Sequence, residues 1–145
     1  QAGNYVYRHD PKTGKTTAVM KDFVQPNGIA FSPDGEKLYV ADSGAPGHIR
    51  SFDVAVDGTV SGGAVFCTID KGRPDGIRVD RDGRVWSSAG DGVHIFSPDG
   101  SRIGKIVVPE SPANLCFGGD DGKTLFITAR RSLYSVSVAV TDARR

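Results

Sequence analysis

The chain is poor in the residues that build helices. Its apolar side chains include only 4 Leu and 1 Met, against 16 Val and 8 Ile. Of its 17 acids only 2 are Glu, and the other 15 are Asp. Leu, Met and Glu lose little rotamer freedom in a helix, whereas Val and Ile are stiff at χ1 and suit a pleated surface. Asp belongs to turns. These shortages exclude an all-helical bundle and argue against a helix-rich α/β fold. Charge of one sign is also missing, since 18 basic and 17 acidic residues leave a net charge of +1. Without a basic stripe there is no electrostatic footprint for nucleic acid. No apolar run approaches the ~20 residues of a membrane-spanning helix, so no membrane partner is expected. No secretory leader is visible, and the compartment is unknown from the sequence, with the cytoplasm slightly favoured. The chain starts at Gln1 with no initiator Met, so a segment upstream is expected to have been removed or left out. Cysteine is scarce too. Cys67 and Cys116 lie in apolar runs with no zinc-type spacing, and are expected to be buried free thiols rather than a disulfide.

What is abundant is glycine, at 19 of 145 residues, roughly twice ordinary usage. Much of it falls in a repeat. Three segments begin alike: Pro26-Asn27-Gly28-Ile29-Ala30-Phe31, Pro74-Asp75-Gly76-Ile77-Arg78-Val79 and Pro112-Ala113-Asn114-Leu115-Cys116-Phe117. Each leads to an acidic glycine turn: Ser32-Pro33-Asp34-Gly35, Asp80-Arg81-Asp82-Gly83 and Asp120-Asp121-Gly122. An apolar strand follows each turn, so the unit opens as a β-hairpin. Third strands are predicted at 48–53, 93–97 and 133–137, and fourth strands at 64–68 and 103–108. The N-terminal pair, 4–8 and 16–20, matches only the second half of the unit.

Four short antiparallel strands every ~40–50 residues, with unit-by-unit self-similarity, predict an all-β fold of the β-propeller type. The units divide as 1–22 (two strands of a first blade), 23–70 and 71–109 (complete blades) and 110–145 (an incomplete last blade). Propellers close with about 4–8 blades, so this chain makes about half a ring. It is therefore expected to be a fragment of a longer propeller or to complete its ring with a partner. A homodimer would give six blades.

The first strand of a propeller blade lies innermost, which puts the residue between Pro and Gly at the channel mouth. Asn27, Asp75 and Ala113 hold that place. An amide and a carboxylate converging from neighbouring blades would suit Ca²⁺, Mg²⁺ or Mn²⁺. A second reading stands beside it: Pro-Asn-Gly and Pro-Asp-Gly are also type II turn sequences. Loops on the same face place Asp42-Ser43-Gly44, Ser87-Ser88-Ala89-Gly90-Asp91 and Ala129-Arg130-Arg131 around the mouth, with Asp42, Ser43 and Arg130 as candidate substrate contacts, or as plain polar loop residues. His48 and His94 read as strand-surface histidines, and Trp86 as packing between blades. No nucleophile elbow, P-loop or dinucleotide fingerprint is present.

The run Gly3-Asn4-Tyr5-Val6-Tyr7-Arg8, the Pro-Asn-Gly unit with Leu38-Tyr39-Val40-Ala41-Asp42-Ser43, and Arg73-Pro74-Asp75-Gly76 with Gly83-Arg84-Val85-Trp86 together resemble the gluconolactonases. So does Asn114-Leu115-Cys116-Phe117-Gly118-Gly119. The chain looks like the C-terminal half of the gluconolactonase, regucalcin (senescence marker protein) and luciferin-regenerating family. That resemblance implies a six-bladed propeller with one divalent cation in its channel, calcium first, with Zn²⁺, Mg²⁺ or Mn²⁺ as alternatives. Members hold it with a Glu, two Asn and an Asp. The later Asn falls on Asn27 and the Asp on Asp75, whereas the Glu and first Asn belong to blades not present here. The implied chemistry is hydrolysis of a sugar lactone, with Asp75 as ligand and general base, or else nucleophile, and Asn27 as ligand. Rivals are a non-catalytic NHL-type binding propeller, an inactive half-propeller assembly module, and a related organophosphate hydrolase.

Overall fold

The computed structural model describes residues 3–143, which form thirteen strands and no helix. A two-stranded sheet pairs β1 (Val6–Asp10) with β2 (Lys15–Met20). A four-stranded sheet follows, made of β3 (Pro26–Phe31), β4 (Lys37–Asp42), β5 (His48–Val54) and β6 (Val60–Thr68). The next has β7 (Ile77–Val79), β8 (Val85–Ala89), β9 (Gly92–Phe96) and β10 (Arg102–Val107). The last holds β11 (Pro112–Gly118), β12 (Thr124–Ala129) and β13 (Ser132–Ser137). Every pairing is antiparallel between strands consecutive in the chain. The four sheets are blades of a partial β-propeller.

The aspartates account for the turns. Asp10, Asp34, Asp57, Asp80, Asp99 and Asp121 each accept a hydrogen bond from the backbone N–H two residues on, at 2.8–3.0 Å. A carboxylate used this way closes the turn locally and leaves the flanking strands free to pair. Asp80 does more. It is fully buried, and its second oxygen accepts from Arg84 Nε (2.7 Å) and Trp86 Nε1 (2.9 Å).

Blades pack face to face, so the middle strands bury both sides. Leu38 and Val40 of β4 join Met20 and Phe52 against the first blade. Tyr39 and Ala41, on the opposite side of the same strand, join Ile77, Val79 and Val85 of the third. Side chains that alternate across a pleat explain how one strand serves two cores. A third cluster brings Trp86 and Val93 against Leu115, Leu125 and Ile127. Trp86 packs between blades as expected, edge-on to Phe117 at 5.4 Å. The outer side of the last blade is uncovered, with Leu133 67% exposed.

Three features depart from the sequence reading. His94 is fully buried rather than on a strand surface, because β9 lies under the loop that carries Asp70. Its Nε2 meets Asp91 Oδ1 at 2.8 Å, while Nδ1 has no hydrogen-bond partner and stands 3.7 Å from Asp70. Cys116 is exposed while Cys67 is buried, and both are free thiols. Finally, the chain after β13 returns to the third blade. Asp142 bridges Asp80, Arg81 N donates to Thr141 O and Ala143 N donates to Val79 O, each at 3.0 Å.

Removing the Asp91 carboxylate strands a buried imidazole, so Asp91→Ala should cost about 1–3 kcal/mol at neutral pH. The Asp91 carboxyl is held down to about 2, first by the Lys105 hydrogen bond and then by that of His94. Its contribution is therefore complete above about pH 4 and lost as pH falls through 2. Urea titrations of wild type and Asp91→Ala across this range should converge at the acid end.

Candidate active site at the channel mouth

The inner strands of successive blades touch at their N-terminal ends through the glycine of each Pro-x-Gly. Gly28 N donates to Asp75 O at 2.9 Å, and Gly76 N donates to Ala113 O at 2.8 Å. A Cβ on Gly28 would lie 2.1 Å from Asp75 O, and one on Gly76 2.4 Å from Asn114 Oδ1. No residue of either tripeptide has positive φ, which a type II turn requires. The turn reading is thereby overturned. These glycines are needed because another backbone passes where their side chain would be.

This junction sets Asn27 beside Asp75. Both line a cleft of about 320 Å³, together with Gln25, Ser43, Arg73 and Ser111. Asn27 is exposed and Asp75 partly buried. Burial pushes the Asp75 carboxyl up from its ordinary range, and a hydrogen bond from the Asn27 side chain offsets part of that rise. Ala113, third in the series, brings no donor.

The other predicted contacts sit differently. Asp42 is 2% exposed and fully engaged with backbone N–H groups, so its carboxylate does not face the cleft as a substrate contact. Burial pushes it up, but donors from Val24, Gln25 and Gly44 outweigh that and hold it below the usual range. Ser43 lines the cleft, with its hydroxyl donated to Pro74 O. Arg130 is exposed in the β12–β13 turn, outside the residues lining this cleft, and its charge acts on Glu110.

One residue lining the cleft was not singled out from sequence. Arg73 lines the cleft with Nη1 donated to Ala45 O at 2.9 Å; its place immediately before Pro74 was the available signal. Ser88 is buried and its hydroxyl lies between Gly76 O (3.2 Å) and Ala113 O (3.1 Å). The sequence places it among the mouth-loop candidates; in the structure it is buried in β8 and ties two backbones.

Asn27 and Asp75 are oxygen donors of the kind a hard cation takes, though about two against the six to eight around Ca²⁺. Among the described residues no three of His, Cys, Asp and Glu gather as a metal site. The pair fits a cation in chemistry and would supply part of its shell.

The SMP-30/Gluconolactonase/LRE-like region matches residues 1–131. The chain belongs to this family. It is 34% identical over 143 residues to a gluconolactonase of Zymomonas mobilis, covering 92% of this chain and 40% of that protein. Among solved structures, a gluconolactonase from Xanthomonas campestris superposes with a TM-score of 0.87 at 35% identity, over 94% of this chain and 45% of that one. A calcium-binding regucalcin from Agrobacterium tumefaciens does so at 0.82 and 25% identity, over 100% and 55%. The chain thus spans about 40% of the first relative's length and about half of each of these two structures.

A carboxyl raised by burial destabilises the fold once ionised. Its contribution is fully present below the ordinary carboxylate range and lost as pH rises through the folded-state value. Asp75→Asn should therefore be more stable than wild type at pH 7, with the gap closing in acid. Asn27→Ala should move the Asp75 titration, followed by ¹³C NMR of its carboxyl, further up.

Proposed function

We propose that this chain forms the part of a metal-dependent sugar-lactone hydrolase that carries Asn27 and Asp75, opening the cyclic ester to an aldonic acid. The observation that carries this reading is the contact between an amide and a partly buried carboxylate in one cleft. It is supported by relatives named for lactone hydrolysis, among them the gluconolactonase of Zymomonas mobilis and a 6-deoxy-6-sulfogluconolactonase of Pseudomonas putida.

Asn27 and Asp75 would hold a divalent cation, calcium first and Zn²⁺, Mg²⁺ or Mn²⁺ as alternatives. When bound, such a cation polarises the lactone carbonyl as a Lewis acid. Asp75 accepts the proton of the attacking water. Asn27 orients the carboxylate through their shared hydrogen bond and has no proton to give or take. The ring oxygen leaves protonated, as the hydroxyl of the sugar acid. Further donors come from the rest of the ring, supplied either by additional blades of a longer chain or by a second copy of this one. An NHL-type binding propeller has no use for paired oxygen donors at this place.

The test is turnover of gluconolactone by an assembly of measured native mass, before and after chelation and with calcium restored. Asp75→Ala should lower kcat by about 10²-fold or more, and chelation should abolish turnover until calcium returns. Turnover indifferent to both would refute the reading.

A further inference from the structure

Asp42 and Ser43, adjacent at the end of β4, tie down the backbone on both sides of the cleft. Asp42 Oδ2 accepts from Val24 N at 3.0 Å, and Oδ1 accepts from Gln25 N at 2.8 Å and Gly44 N at 2.9 Å. Ser43 N donates to Gln25 O at 2.9 Å, and Ser43 Oγ donates to Pro74 O in the next blade. Gln25 stands two residues before Asn27, and Pro74 immediately precedes Asp75. The fit is close. A Cβ on Gly44 would lie 2.5 Å from Val24.

This arrangement is not a general device of the repeat. Asp42 pairs with Pro26 across the hairpin, and Ala129 takes the same place opposite Pro112. In the third blade, Ala89 stands two residues past Ser87, the partner of Ile77, as Asp42 stands two past Val40, the partner of Ile29. Gly90 and Arg130 correspond to Ser43. The tie is thus confined to the blade junction bearing the paired oxygen donors. The next junction has the Gly76 N to Ala113 O hydrogen bond and the Ser88 hydroxyl but no such carboxylate, and there the exposed residue is Ala113.

We infer that Asp42 and Ser43 are positioning residues, one dipeptide fixing the strand start that presents Asn27 and the neighbouring one that presents Asp75, so that the two donors keep their separation. The inference rests on the reading of Asn27 and Asp75 as the working pair. A charged acceptor with three backbone donors is a rigid anchor, and donors to a common ligand tolerate only about half an ångström of play. Gln25 itself is exposed, and its backbone N–H and C=O are both bonded to this dipeptide.

The experiment compares Ser43→Ala, Ser43→Thr and Asp42→Asn with Ser88→Ala, which removes a buried hydroxyl from the other junction. In metal-free protein, exchange of the Gly28 amide, which donates to Asp75 O, reports the junction directly. Ser43→Ala should speed it about tenfold, the scale of one lost hydrogen bond. Calorimetric Ca²⁺ affinity should fall in parallel, Ser43→Thr should restore both readouts, and Ser88→Ala should move neither. Should Asp42→Asn fail to fold, the serine series still decides. Equal effects of Ser43→Ala and Ser88→Ala, or no rescue by threonine, overturn the assignment. A wild-type protein that binds no Ca²⁺ sinks the metal reading, and the exchange pattern then decides positioning by itself.

Discussion

Two backbone hydrogen bonds, from Gly28 N to Asp75 O and from Gly76 N to Ala113 O, hold neighbouring inner strands closer than any side chain would permit. Much of the molecule follows from that approach. Inner strands that touch at one end oblige the blades to fan outward, and the widening space between them is filled by Val, Ile, Phe and Trp side chains. The same contact leaves the residue before each glycine at the mouth, where Asn27 meets Asp75. The scaffold and the site are one feature seen from two sides.

Polar groups within the stack are kept where each has a specific partner. The Asp80 carboxylate takes up the Trp86 indole and the Arg84 guanidinium, so a large aromatic packs between blades without losing its hydrogen bond. Arg50 lies over Phe23 and Phe52 while pairing with Asp22 at 2.9 Å. The last blade differs on its outer side, where Thr128, Ser135 and Ser137 accompany the exposed Leu133. No described blade covers that face.

The aspartates divide by environment into distinct functions. Those in the hairpin turns accept first from a nearby Ser or Thr hydroxyl and then from backbone N–H groups two residues on, which lowers Asp10, Asp34, Asp57 and Asp99 below the usual carboxylate range. Asp42 is buried yet likewise held down by three backbone donors. Asp75 alone among the aspartates with a resolved shift moves upward, because burial exceeds what Asn27 returns. A carboxylate left short of donors in a cleft carries a stability cost that a structural residue would shed. That contrast, more than the presence of an acid, sets Asp75 apart.

The hairpins, the repeat and the partial propeller were legible in the amino-acid order, because β-branched alternation and Asp-Gly turns act between residues near in the chain. That order also brought Asn27 and Asp75 into register, since each follows the same proline in its unit. Only the tertiary structure decided what the glycines are for, since the atom that excludes a Cβ at Gly28 belongs to a residue 47 positions away. It likewise turned Asp42 from an apparent contact into a buried anchor, buried His94 under a loop from the preceding blade, and left Arg130 outside the cleft. These outcomes depend on which backbone groups and neighbouring blades surround a side chain, and that is fixed by packing at a distance rather than by local pattern.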